Sequence, residues 1–154
     1  MARNWAPGWQ RFVMNLWPPF LCAGIRVEYI APDWRAATVA LRPRGFNRSA
    51  SGTHFGGSLY AMTDPFFALM VRHNLPPGYA VWDQAASIDF VAPGRGRVWA
   101  RFELTTRDLE HILAMTAEGD KHLHLFKVDV LDGEALVVAR VEKIVYVRRR
   151  TGAP

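Results

Sequence analysis

A chain of 154 residues is long enough for one domain with a real core, and half of its residues are hydrophobic, which excludes a disordered chain. The net charge is +5, but three of the basic side chains are the terminal Arg148, Arg149 and Arg150, so the body is only mildly basic, which argues against a broad nucleic-acid surface. The one cysteine, Cys22, has no partner for a disulfide within the chain, which fits a reducing compartment, and its size and chemistry predict a small buried residue.

The first twenty residues do not read as a secretory signal, because Pro7, Gln10, Arg11 and Asn15 interrupt any apolar region. No apolar run is long enough to span a membrane, and the reading is a cytoplasmic protein. Trp9, Phe12, Val13, Leu16 and Trp17 fall at helical spacing and predict an amphipathic helix over 8–17 that Pro18–Pro19 stops. Its polar face carries almost no positive charge, so cover for the core is expected rather than membrane contact.

After Gly24, two strands are predicted on either side of Pro32–Asp33. A polar loop, 43–53, leads into a helix over about 56–73 that is apolar almost all round, and "NLPPGY" ends it. Residues 81–91 and 97–106 alternate like paired strands joined by the turn "APGRG". A helix is predicted over 107–119, and a hairpin turning at Asp132–Gly133 closes the chain. There is no internal repeat, and residues 1–154 read as a single domain with about 1–24 as a lead-in. The layout is α+β: helices on one side of a mostly antiparallel sheet, curved around the long apolar helix that must be wrapped.

One carboxylate, Asp64, interrupts the apolar helix and is followed by Pro65. On a helix begun near Gly56, residues Gly57, Ala61, Asp64 and Ala68 share one stripe of small residues, leaving space in front of the carboxylate. Burial there would make Asp64 a usable base. "TDP" also fits a helix cap followed by proline, so site and cap stand side by side. The glycines of "THFGG" offer backbone N–H groups at the positive end of a helix, a place for an oxygen gaining negative charge, and His54 stands beside them.

These residues, "THFGG" with Asp64 seven positions after Gly57 and the strand turn from Phe90 to Pro93, resemble the hotdog-fold acyl-CoA thioesterases of the phenylacetate-pathway type. The likeness runs from "NLWPPFLCAGI" to "KIVYVRRR". It implies a hotdog fold and a homodimer, often paired into a tetramer, with sites at the dimer interface where the acidic residue of one subunit faces the Gly-Gly turn of the other. The relatives carry histidine directly before Gly-Gly; here Phe55 holds that position and His54 lies one residue earlier.

The activity so implied is hydrolysis of acyl-CoA or acyl-carrier thioesters. The expected catalytic set is Asp64, Gly57, Gly56, His54 and Asn47. Phe55, Ser58, Arg95, Arg97, Arg148 and Arg149 are expected on the substrate side, the arginines at the CoA phosphates. No cofactor is expected beyond coenzyme A in the substrate, no metal, and no nucleic-acid or membrane partner. His122 and His124 alternate on a strand and read as a surface pair, since no third ligand is obvious. The rivals are a non-catalytic acyl or acyl-CoA binding protein and a hotdog hydratase or dehydratase.

Overall fold

The computed structural model describes residues 6–44 and 47–150; the rest of the expected 1–154 domain lies outside them. In chain order the elements are α1 (Pro7–Leu16), α2 (Pro18–Ala23), β1 (Ile25–Ile30), β2 (Ala36–Leu41), α3 (Gly56–Ala61), α4 (Phe66–Asn74), β3 (Tyr79–Phe90), β4 (Val98–Glu103), α5 (Thr106–Met115), β5 (Lys121–Leu131) and β6 (Val137–Arg149). The six strands form one curved antiparallel sheet in the order β1-β2-β4-β5-β6-β3. This is the expected α+β, hotdog architecture.

Two of the expected hairpins form, β1–β2 and β5–β6. In the second, Asp132 Oδ1 accepts from the main-chain N–H groups of Glu134 and Leu136 and fixes the turn. The third does not form: β3 and β4 lie at different places in the sheet. β4 pairs with β2 and β5, and β3 pairs along its length with β6. Alternation marks a strand but not its partner, and the long β6 offers β3 a longer ladder than a hairpin with the six-residue β4.

The long helix expected over 56–73 is two helices, because Pro65 has no N–H to continue the ladder. Residues 62–65 form the break, where Asp64 N–H reaches only the Ala61 carbonyl at 3.3 Å. α4 supplies the centre of the core. Phe66, Phe67, Met70 and Val71 are buried against the sheet, and Phe67 stacks on Phe126 at 4.4 Å between ring centres. Phe66 stacks on Phe102 at 4.8 Å. Burying side chains of this size stabilises by roughly 1.5–3 kcal/mol each.

The N-terminal helix differs from expectation. Its aromatic face is outward, with Phe12, Leu16 and Trp17 exposed, while Met14 is buried. Asn15 decides this orientation: its carboxamide accepts from Val27 N–H at 2.8 Å and donates to Val27 C=O at 3.0 Å, and Arg11 donates to the Glu28 carbonyl. Helix α1 thereby covers the β1 edge of the sheet. Pro18 ends α1 and also occupies the first turn of α2, where a missing N–H costs nothing. Cys22 is exposed on α2, not buried, because Phe20 takes the inward position.

Candidate active site

Asp64 sits in the break between α3 and α4 and does not cap a helix: no side-chain cap is made at Pro65. Its carboxylate meets Lys143 of β6 instead, with Nζ 2.9 Å from Oδ1. The Lys143 side chain has no exposed surface, whereas that of Asp64 is 50% exposed. Lys143 also lies 3.4 Å from Oδ2 of Asp83 on β3 and 3.5 Å from the Tyr60 hydroxyl. Asp83 pairs with Val145, two residues from Lys143 on β6, so the two side chains share one face of the sheet.

Burial works against the Lys143 ammonium, but the hydrogen bond to Asp64 and the charges of Asp83 and Asp64 outweigh it, so its pKa lies above the ordinary lysine value. Asp83 moves up for a different reason: burial, helped by the Asp64 charge, exceeds the attraction of Lys143. Asp83 Oδ1 is buried without a hydrogen-bond partner. Two carboxyls therefore share one buried cation and differ in environment: Asp64 faces open space, Asp83 does not.

Gly56 and Gly57 begin α3. Phe55 stands at the N-cap position with no side-chain acceptor, so these first two N–H groups stay uncapped while Ser58 and Leu59 donate to the Phe55 carbonyl. Both glycines lie under aromatic rings. A Cβ at Gly56 would stand 2.9 Å from Phe90, and one at Gly57 would collide with the Phe55 ring. Phe55 and Phe90 are themselves 60% and 58% exposed. Ser58 is buried.

The remaining expected residues lie elsewhere. His54 is buried, its Nε2 bonded to the Gly96 carbonyl at 2.6 Å and its main chain to Gly94, so the ring is held in the 94–96 loop. Asn47 donates to Ala23 and Arg42 carbonyls and accepts from Arg44 N–H, bracing the α2–β1 junction. Arg97 pairs with Glu28 at 2.6 Å. Arg148 and Arg149 donate to the carbonyls of Gly119 and Ala117. Arg95 lines a cleft of about 180 Å³ beside Arg48 and His54. Lys143 and Asp83 were missed in the sequence, where nothing local ties them to Asp64.

The two edges of the sheet differ. α1 covers β1, but among the described residues no strand pairs with the outer side of β3, and residues 84–87 are exposed although they alternate between the two faces of the strand. Elsewhere, His122 and His124 are not a surface pair: the His124 side chain is only 11% exposed, and His111 of α5 joins them. Burial first, then neighbouring histidine charge, holds His122 below the ordinary histidine value, and burial also lowers His124 against the pull of Asp108.

A family model described as "Domain of unknown function (DUF4442)" matches residues 8–147. The chain belongs to this DUF4442 family. No curated protein matches it significantly. Among solved structures, a Pseudomonas aeruginosa protein of unknown function, called a probable thioesterase, superposes with a TM-score of 0.81 at 14% identity, covering 93% of this chain and 95% of its own. A Haemophilus influenzae thioesterase gives 0.67 at 13% identity, with 94% and 92% covered. The phenylacetic acid degradation protein PaaI of Thermus thermophilus, as an N33D mutant, gives 0.59 at 27% identity, with 84% and 97% covered. The DUF4442 chain thus has the hotdog fold of thioesterases and PaaI-like proteins. Among its described residues no helix is long and apolar enough to cross a membrane.

Proposed function

We propose that this protein hydrolyses acyl thioesters, with coenzyme A as the acyl carrier, at a site completed where two copies pair along β3. The observation that carries the reading is Asp64, a half-exposed carboxylate fixed through Oδ1 by a fully buried ammonium in the helix break. Among the described residues Oδ2 makes no hydrogen bond, and it is the oxygen left to act on water.

In this reading the thioester carbonyl oxygen accepts from the N–H groups of Gly56 and Gly57, which stabilise it as it gains charge. Asp64 takes a proton from water as the water attacks the carbonyl carbon, or attacks that carbon itself. On the first route the carbon–sulfur bond then breaks, the thiolate takes up the proton from Asp64 and the carboxylic acid remains. On the second the thiolate leaves a mixed anhydride on Asp64, which water hydrolyses to the carboxylic acid and free Asp64. Asp64 and the glycines stand at opposite ends of the α3 segment, so a two-fold pairing along the open β3 edge is what would set one copy's carboxylate before the other's glycines. The Phe55 and Phe90 rings would flank the acyl group. Among the described residues Arg95 makes no hydrogen bond or ion pair and could meet a phosphate, whereas Arg97, Arg148 and Arg149 already hold other groups.

The hydratase alternative needs a histidine at the reacting centre, and His54 is held by Gly96. The exposed, unpaired thiol of Cys22 supports placement in the reducing cytoplasm. The test is thiol release from a panel of acyl-CoA esters of increasing chain length. Turnover that Asp64→Asn abolishes is the expected result. Tight binding without turnover would leave a non-catalytic acyl-CoA binding protein, and neither binding nor turnover would sink both readings.

A further inference from the structure

We propose that His111, His122 and His124 form a binding site for a divalent transition-metal ion of the zinc type. One donor atom from each imidazole lies within 4.8 Å of the other two. His122 Nε2 and His124 Nδ1 are 3.2 Å apart. Two nitrogens bound tetrahedrally at about 2.0–2.1 Å from Zn²⁺ are separated by roughly 3.4 Å, so this edge is already near ligand spacing. His111 lies on the exposed side of α5, where its side chain can rotate inward to complete the triangle.

The shell behind the ligands makes the cluster more than three neighbouring rings. His124 Nε2 lies 3.3 Å from Asp108 Oδ1. That contact fixes the tautomer with the proton on Nε2, so Nδ1 presents its lone pair to the cluster. Histidine that binds a metal characteristically gives its other N–H to a carboxylate. Asp108 is itself immobilised: Thr105 N–H reaches its Oδ2 at 2.9 Å and Thr105 Oγ1 at 2.6 Å, in the capping box that starts α5. The order Thr105, Asp108, His124 is therefore a supported ligand arm.

Without an ion, His122 Nε2–H donates to His124 Nδ1. Binding needs His122 to move that proton to its own Nδ1, a tautomer change with no net proton released. Three neutral imidazoles select Zn²⁺, Co²⁺ or Ni²⁺ over Mg²⁺ and Ca²⁺, which take oxygen ligands. Three protein ligands leave a fourth position for water. Nothing in this site touches Asp64, so it stands apart from the proposed thioester chemistry.

The test uses full-length protein without a polyhistidine tag, stripped with chelator and titrated with Zn²⁺ against a chromogenic chelator. One equivalent per chain is expected, unaffected by millimolar Mg²⁺. His122→Ala and His111→Ala should each weaken binding about 100-fold or more, and Asp108→Asn, which keeps the cap, about 10–100-fold. Co²⁺ should give the intense visible bands of a low-coordinate site, lost in the same variants. Substoichiometric binding, or binding unchanged in His111→Ala, overturns the proposal; that residue is exposed, so its loss leaves the fold intact.

Discussion

Lys143 has no exposed surface, yet its ammonium lies 2.9 Å from an oxygen of Asp64 that belongs to a half-exposed side chain. The pair joins β6 to the break between α3 and α4, and a buried cation thereby sets the orientation of a carboxylate that faces open space. The rest of the arrangement follows from this contact. A charge buried in a sheet is tolerated only with partners, and Asp64, Asp83 and Tyr60 supply them.

The first prediction concerns Lys143. Lys143→Met removes the cation that faces Asp83 Oδ2 at 3.4 Å, so that oxygen joins Oδ1, already without a partner, in facing no donor. Stability should fall by about 1–3 kcal/mol, the cost of an unpaired buried polar group. Adding Asp83→Asn should restore part of that loss but none of the lost turnover, since Asp64 remains unanchored. Urea denaturation and thioester hydrolysis on the single and double variants measure both. A single variant as stable as wild type would show that the pair holds nothing.

Asp83 gives a pH dependence with a definite sign. Its folded pKa is raised above the ordinary 3.8, by burial first and by the Asp64 charge. A raised carboxyl stabilises the fold below the unfolded value and loses that contribution as pH rises through the folded value. Relative to Asp83→Asn, wild type should therefore lose stability as pH rises from about 4 through the weakly acidic range. Lys143, also raised, contributes throughout this window and is lost only as pH climbs past its own folded value, above 10.5. Denaturation curves across pH check the difference, and a slope of opposite sign would refute the assignment to Asp83.

Much of this was legible in the sequence. The type and place of most elements followed from periodicity, and Asp64 with Gly56–Gly57 stood out as a charge and two small residues in an apolar run. What stayed hidden was long-range. Lys143 lies 79 residues from Asp64 and reads locally as one more polar residue in a strand. His111 is on a helix and its partners on a strand, so no spacing rule joins them. The β3–β6 pairing could not be told from a β3–β4 hairpin, because alternation carries no information about the neighbour. Asn15 was visible as a break in an apolar helix, but not as the group that caps Val27 and turns the aromatic face outward.

The open β3 edge predicts assembly. Every other N–H along an edge strand points away from its one neighbour. If a second copy pairs there, those amides within Tyr79–Phe90 should exchange slowly with deuterium at micromolar protein and faster on dilution. Light scattering should give at least a dimer. A monodisperse monomer with fast exchange along β3 would remove the composite site.

The arginines separate by what already holds them. Arg95→Gln should raise KM for acyl-CoA and flatten its salt dependence while leaving kcat nearly unchanged. Arg97→Gln should instead cost about 0.2–1 kcal/mol, the range for a partly exposed ion pair, through the loss of Glu28. Equal KM values for wild type and Arg95→Gln at low salt would free Arg95 from the carrier.

The decisive variant is Asp64→Asn. Asparagine keeps the shape and can still accept a hydrogen bond from Lys143, so the break between α3 and α4 should persist and the protein should fold. It cannot take a proton from water or attack a carbonyl. Thioester hydrolysis should therefore fall by about 10²–10⁴-fold, the range for loss of a general base. No cap is lost, because Asp64 makes none at Pro65, so any fall in melting temperature reports only the weakened contact with Lys143. The two readouts are independent: a folded, inactive variant supports chemistry at Asp64. A folded variant with full activity would overturn chemistry at Asp64, and with it the proposed function.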